Sequence, residues 1–379
     1  MNSLFPYQAL YIHVPFCACR CNYCDFETQA VAPDDQRLDD FVASIRAELV
    51  SASREYLLDE IKTIYIGGGT PSHLGAKRLF ELIDTVCSHV KLTEDTEFTV
   101  EANPESFSDQ IAERLCSLGV NRLSLGVQSF VDSELLLLGR IHDADTSERA
   151  LKSACEHMPA VSVDLICGIP GQNNTSWLYS LNKAILSGIK HISVYPLTLE
   201  EDTPLAGSVA SGFLPKPDED FQASCMEAAE EMLLAAGFEH YEIASYALPG
   251  FRCRHNMAYW TGIPYLGLGK GAAGMRVNGQ HRERLLERNV TERLGREEAL
   301  LEDIMLGMRI RDGVSINLVE KAYAFVPQLA DVLTELIACG LVVFEDGHYC
   351  PTSRGWLLGN EIFSRIWLCR QDSGFERTE

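Results

Sequence analysis

Within the first 200 residues six short runs of β-branched and apolar residues alternate with five helical patterns, and no other feature of the chain constrains its fold as much. Parallel strands need a long crossover between them, usually a helix, so the alternation predicts an α/β architecture around a parallel sheet. The predicted strands are 10–14, 63–66, 97–101, 122–128, 161–166 and 191–195, with helices near 34–52, 76–90, 109–118, 146–157 and 174–187. Six units make a barrel, a partial barrel or a doubly wound open sheet, and in each the functional site lies where the strands end. Polar and glycine residues recur at that edge: Cys17 to Cys24, Gly67 to Thr70, Glu101, Gln128 and Asp164. A strand buried on both faces has no packing reason to finish in Glu or Gln. Any one of these residues could cap the helix that follows; together they mark a site.

Composition narrows the partners. The 32 Lys+Arg against 54 Asp+Glu leave a formal charge of −22, so the chain repels phosphate backbones and anionic membrane surfaces. A hydrophobic content of 46% with 23% charged residues fits a folded chain and excludes disorder. No run of about 18 apolar residues is present, so no membrane-spanning segment is expected. Residues 1–8 have no basic region, and the apolar stretch after them stops at His13 and Pro15, so a cytoplasmic protein without a signal peptide is expected.

Beyond the sixth strand the pattern changes. Residues 196–217 read as irregular, and 218–238 as an acidic helix with Glu227, Glu230 and Glu231 on a solvated face. A Gly- and aromatic-rich stretch runs over 252–277, followed by helical patterns from 291 and a hairpin over 341–350 around Asp346-Gly347. Helices closed by a hairpin suggest a small winged-helix-like domain, read here as a packing or partner module. The expected division is 1–240, a connecting region 241–290 and a C-terminal domain 291–379.

Of thirteen cysteines, Cys17, Cys19, Cys21 and Cys24 crowd into eight residues. In a chain that is not exported, that crowding asks for a metal rather than a disulfide framework. Cys17, Cys21 and Cys24 have the spacing C-x3-C-x2-C, which lets three thiolates wrap a [4Fe–4S] cube and leaves the fourth iron without a protein ligand. Zinc usually takes two separated pairs, and Cys21/Cys24 is the only C-x2-C in the chain. A redox dithiol of Cys21 and Cys24 leaves Cys17 unexplained. Cys19 fits no ligand spacing and reads as a bystander.

The cysteine triad after the first strand, with Gly67-Gly68-Gly69-Thr70-Pro71 after the second, resembles the radical S-adenosylmethionine (SAM) superfamily. The resemblance implies that the open iron chelates the methionyl amine and carboxylate of SAM. The glycines would admit the backbone close to that group; alone they are also compatible with a plain tight turn, and they lack the ending of a phosphate loop. Longer strings, Tyr11 to Cys17, Glu101 to Pro104, Leu125 to Phe130, Leu138 to Arg140, Val163 to Ile166 and Tyr195 to Leu197, resemble the oxygen-independent coproporphyrinogen III dehydrogenase family over nearly the whole chain. That resemblance implies SAM contacts from Tyr11, Tyr23, Gly68, Gly69, Thr70, Glu101, Gln128, Arg140 and Asp164, and a partial (β/α)6 TIM-like radical SAM barrel.

Two departures point within that family. Phe26 stands two residues after Cys24, where the true dehydrogenase has a further cysteine, and few residues precede the first strand. Both features resemble the HemW-type haem chaperones, as does His255-Asn256-Met257-Ala258-Tyr259-Trp260, a match to the H-N-x-x-Y-W motif associated there with haem. His255 would offer an imidazole to iron, and Tyr259 and Trp260 flat apolar surface to a porphyrin; a buried histidine beside core aromatics gives the same spacing. The expected function is a haem chaperone that binds a [4Fe–4S] cluster, SAM and haem, takes an electron from a donor and delivers haem to acceptor haemoproteins. Oxidative decarboxylation of coproporphyrinogen III is the alternative, and no catalytic residue is assigned. Arg140, Arg252 and Arg254 are the expected donors to an anionic tetrapyrrole and to SAM. Gly269 to Gly274 fits G-x-G-x-x-G without the strand-turn-helix context of a dinucleotide site.

Overall fold

The computed structural model describes residues 6–279 and 281–370. The readings placed on residues 1–5, and the far end of the expected C-terminal domain, lie outside the described residues.

Six parallel strands follow one another in space as in sequence: β1 (Ala9–Val14), β2 (Thr63–Gly68), β3 (Glu97–Ala102), β4 (Arg122–Gln128), β5 (Ala160–Cys167) and β6 (His191–Pro196). A doubly wound sheet reverses its strand order at a switch point. This order never reverses, so right-handed crossovers lay the helices on one face and the sheet curls into a partial barrel. The helices carry the expected signals. Asp35, Ser108, Asp143 and Asn173 each accept a backbone N–H at a helix start. Gln36–Arg54 buries Leu38, Phe41, Val42, Ile45 and Leu49, one stripe at helical spacing.

Along β2 to β6 apolar and polar residues alternate. Ile64, Ile66, Phe98, Val100, Leu123, Leu125, Val163 and Ile192 are fully buried in the main core. The intervening residues face the lumen, and the register stacks them in layers: Tyr11 beside Tyr65, Tyr65 beside Thr99, Thr99 beside Arg122, and above them Glu101 beside Ser124. The barrel therefore has an apolar rim and a polar interior.

Residues 241–290 do not stand apart as a connector. Ser245–Ala247 pairs antiparallel with β6, and Tyr265–Leu268 pairs parallel with β1, so this stretch supplies a strand to each edge of the sheet. Between them the short helix Arg254–Trp260 lies across the N-terminal ends of β2 and β3. The Glu97 carboxylate caps it, accepting the N–H groups of Arg254 at 2.9 Å and His255 at 2.8 Å. Gly269 to Gly274 runs from Tyr265–Leu268 into the strand Ala273–Asn278 with no helix after it, which excludes the dinucleotide geometry.

The C-terminal domain has its own core, built on Leu301, Ile304, Val319, Leu333, Leu336 and Ile362. Helices Arg296–Gly307, Ile316–Tyr323 and Leu329–Ala338 precede the hairpin of Val342–Glu345 and His348–Pro351. Asp346 (φ 47°) and Gly347 (φ 79°) both take left-handed backbone, as a two-residue turn matched to the strand twist requires. This is the expected winged-helix-like arrangement. Three local expectations fail. The helical pattern expected from 291 does not begin there: Asn289–Leu294 is a strand paired with His281–Leu286, and the helix starts at Arg296. Residues 204–210 form a helix, Pro204–Ala210, because Thr203 caps it and Pro204 opens it. Glu230 is half-buried, not solvated: it accepts from Ser353 Oγ at 3.0 Å and ties the acidic helix Glu219–Ala235 to the C-terminal domain. Among the described residues no helix is long and apolar enough to cross a membrane.

Candidate functional site

A cavity of about 360 Å³ opens at the C-terminal end of the barrel, with the cysteine loop at its mouth. The sheet edge sets that loop. Gly69 N–H donates to Val14 O at 2.8 Å and Thr70 N–H to Phe16 O at 2.7 Å, and Phe16–Cys17 pairs with Gln29–Ala30 to close the loop at its base. The far side is held by Asn22, whose side chain donates to Leu137 O at 2.8 Å. Cys17, Cys21 and Cys24 all face the cavity. Among the described residues no three Cys, His, Asp or Glu side chains converge on a single-ion site. A cubane needs no such convergence, since each thiolate takes its own iron.

Two of the sulfurs have donors. Thr70 Oγ1 donates to Cys17 Sγ at 3.4 Å and accepts from Asn103 Nδ2 at 3.0 Å. Arg140 Nη1 donates to Cys21 Sγ at 3.5 Å, while its Nη2 donates to Gly126 O at 2.8 Å. Its Nε is buried with no partner among the described residues. Burial pushes the Cys17 thiol up to about 11, while the Thr70 hydroxyl and the Arg140 guanidinium pull the other way, toward the thiolate that iron needs. Cys19 also faces the cavity, its sulfur only 3.8 Å from Gly139 O. A Cβ on Gly69 would sit 2.6 Å from Phe16 O and 3.0 Å from Cys17 Sγ. The loop's own packing demands this glycine, before any approach to a ligand.

Deeper in, two carboxylates form the floor. Glu101 Oε1 accepts from the Tyr65 hydroxyl at 2.6 Å and Oε2 from Gly68 N–H at 3.0 Å. Asp164 accepts from Ser124 Oγ at 3.2 Å and from Ser193. Burial raises Glu101 to about 7 and Asp164 to about 6, despite those hydrogen bonds. Gln128 closes β4 at φ 69°, a left-handed backbone that a side chain rarely adopts, and its amide faces the cavity. Tyr23 packs beside Leu138, Ile166 and Leu197 at the wall. A cavity with cationic, amide and carboxylate groups beside three thiols suits a zwitterionic, sulfonium-bearing molecule next to a cluster.

The expected residues do not all meet here. Tyr11 lies a layer below, beside Tyr65, with its hydroxyl 2.8 Å from His13 Nδ1. His255, Tyr259 and Trp260 lie at the opposite end of the barrel. His255 is fully buried, with Nδ1 2.9 Å from Thr63 Oγ1 and Nε2 2.9 Å from the Tyr259 hydroxyl, and burial lowers its pKa to about 3. Trp260 Nε1 donates to Glu242 Oε2 at 3.2 Å, and Arg309 lies over its ring. Arg252 pairs with Glu239 and Asp312, and Arg254 donates to Asp95 O, so of the three expected arginines Arg140 alone lines the cavity. Asn103, Ser124, Tyr65 and Ser193 are additional. Their signal was the polar residue at every second position of the strands.

A family model for the radical SAM superfamily matches residues 11–184, and one for the HemN C-terminal domain matches residues 294–358. The radical SAM family implies a [4Fe–4S] cluster and SAM. A heme chaperone HemW of Mycobacterium tuberculosis is 34% identical over 368 residues, covering 93% of each chain. That of Bacillus subtilis is 33% identical over 377 residues, 94% of this chain and 98% of the other. Among solved structures, coproporphyrinogen III oxidase of Escherichia coli superposes with a TM-score of 0.79 over 95% of this chain and 90% of that one, at 20% identity, which shows a shared fold. One residue in three being identical over 93–94% of its length, the chain belongs to the HemW branch of the radical SAM superfamily.

Proposed function

We propose that this protein is a cytoplasmic radical SAM haem chaperone: it binds haem and passes it to acceptor haemoproteins. The observation that carries the reading is similarity along almost the whole length to proteins named heme chaperones. Phe26 supports it: where a dehydrogenase would carry a further cysteine, this chain exposes an apolar ring at the cavity mouth, 62% accessible.

Cys17, Cys21 and Cys24 would hold the cluster, with Thr70 donating to the sulfur of Cys17 and Arg140 to that of Cys21. When bound, the cluster supplies an electron, drawn from a donor protein, and an open iron. Glu101 and Asp164 offer acceptors to the ammonium and ribose hydroxyls of SAM, while Arg140, Gln128 and the Gly68-Gly69 backbone lie beside its methionyl end; Tyr23 and Tyr11 complete the wall and its underside. For haem, the proposed contacts are His255, Tyr259 and Trp260. Ligation by His255 requires Thr63 or Tyr259 to release a ring nitrogen, so haem binding competes with the seating of the helix Arg254–Trp260.

The test is anaerobic reconstitution followed by haem titration and transfer to an apo-haemoprotein. His255→Ala and Tyr259→Phe should weaken haem binding with iron content intact. Unchanged haem affinity in both would place the haem contact elsewhere, and failure to transfer haem would reject the chaperone reading.

A further inference from the structure

The polar lumen holds a tyrosine that neither the family strings nor the cysteine motif assigns. Tyr65 projects from the middle of β2, in register between Tyr11 and Thr99, and its hydroxyl donates to Glu101 Oε1 at 2.6 Å. The contact is built. A Cβ at Gly67 would lie 2.7 Å from Tyr65 Cε1 and 2.8 Å from Glu101 Cδ, so any side chain at 67 would occupy the space where ring and carboxylate meet. From below, the His255 ring lies 5.1 Å from that of Tyr65 at 30°, itself fixed by Thr63 and Tyr259. The helix that plugs the bottom of the barrel thus bears on a ring whose hydroxyl reaches the carboxylate at the floor of the cavity.

We infer that Tyr65 is a positioning residue for SAM, holding the Glu101 carboxylate in the orientation that receives the ligand's cationic end. The inference rests on the reading that Glu101 contacts SAM. With Oε1 held by Tyr65 and Oε2 by Gly68 N–H, the carboxylate has one orientation and its remaining lone pairs are directed at the cavity. The hydroxyl also stabilises the charged form. Among the described residues the other charged group that acts on Glu101 is Asp164, and the hydroxyls of Tyr11, Tyr195 and Tyr259 lie within its electrostatic range without bonding to it. Removing the Tyr65 hydroxyl leaves Gly68 N–H as the remaining donor to Glu101 that the structure shows, so the carboxylate stays protonated to higher pH.

The experiment measures SAM affinity of the cluster-loaded protein by equilibrium dialysis from pH 6 to pH 9. Four forms are compared: wild type, Tyr65→Phe, Glu101→Gln, and the double variant. Tyr65→Phe keeps the ring and its contact with His255, so iron content should stay at the wild-type level, while the melting temperature falls slightly for the one hydrogen bond lost. It should weaken SAM about tenfold at pH 7, the size of one lost hydrogen bond to a charged group, and move the midpoint of the pH dependence upward. In the Glu101→Gln background the same substitution should add nothing, because Tyr65 acts through that carboxylate. Equal losses in both backgrounds, or an unmoved midpoint, would overturn the positioning role. If Glu101→Gln alone leaves SAM binding unchanged, the assignment of Glu101 falls, and the inference with it.

Discussion

Glu101→Gln in the apo-protein should raise stability, and by an amount that grows with pH. Burial lifts this carboxyl from its ordinary 4.5 to about 7. Between those values an unfolded chain releases a proton that the folded chain keeps, so folding stability falls as pH rises through the window. Below 4.5 nothing is lost, and above 7 the loss is complete, about 3 kcal/mol in total. Titrating both states gives a cost of about 1 kcal/mol at pH 5.5 and about 3 kcal/mol at pH 8, a difference of about 2 kcal/mol. Glutamine keeps the size and does not ionise. It also cannot accept from both Tyr65 and Gly68, which costs about 1 kcal/mol, but that cost is the same at each pH and cancels in the comparison. Water in the cavity lowers the figure, so urea unfolding of wild type and variant at pH 5.5 and 8 should show a gap that widens by 1–2 kcal/mol, the scale of the cost above. A gap that does not change with pH would mean Glu101 ionises freely, and the reading that burial raises its pKa would be wrong. The same variant should bind SAM more weakly, the mark of a group kept at a cost for its ligand.

Other outcomes follow from the same geometry. Alanine at Cys17, Cys21 or Cys24 should cost the protein its cluster, while Cys19→Ala should retain iron and the cluster absorbance; iron loss in that variant would refute the choice of ligands. Gly69→Ala pushes a methyl against Phe16 O and Cys17 Sγ, so iron content should fall sharply although the barrel still folds by circular dichroism. Trp260→Phe leaves the buried Glu242 without its indole donor and should destabilise by about 1–3 kcal/mol, read as a lower melting temperature at pH 7.

The barrel was legible because its signals are local. Each strand is short, each is followed by an amphipathic helix with a cap such as Asp143 or Asn173, and the strand ends carry the residues that meet in the cavity. The turn at Asp346-Gly347 was legible for the same reason, since few residues accept two left-handed positions in succession. What stayed hidden depends on pairings distant in sequence. Nothing local says that Tyr265–Leu268 joins β1 or that Ser245–Ala247 joins β6, so the H-N-x-x-Y-W stretch gave no hint that it would plug the far end of the barrel. Glu230 looked solvated because its partner Ser353 is 123 residues away. The lumen itself was written in Thr63-Ile64-Tyr65-Ile66 and Glu97-Phe98-Thr99-Val100-Glu101, where every second residue is polar. That alternation suits a half-exposed strand, and it takes the closed curl of the sheet to turn it into a polar interior.

The central claim is that this chain carries haem and does not make its precursor. The direct measurement is an anaerobic assay of one cluster-loaded, SAM-saturated preparation, supplied with an electron donor and coproporphyrinogen III, with haem binding titrated in parallel. The account predicts stoichiometric haem binding and no catalytic formation of protoporphyrinogen IX. Multiple turnovers of coproporphyrinogen would contradict it.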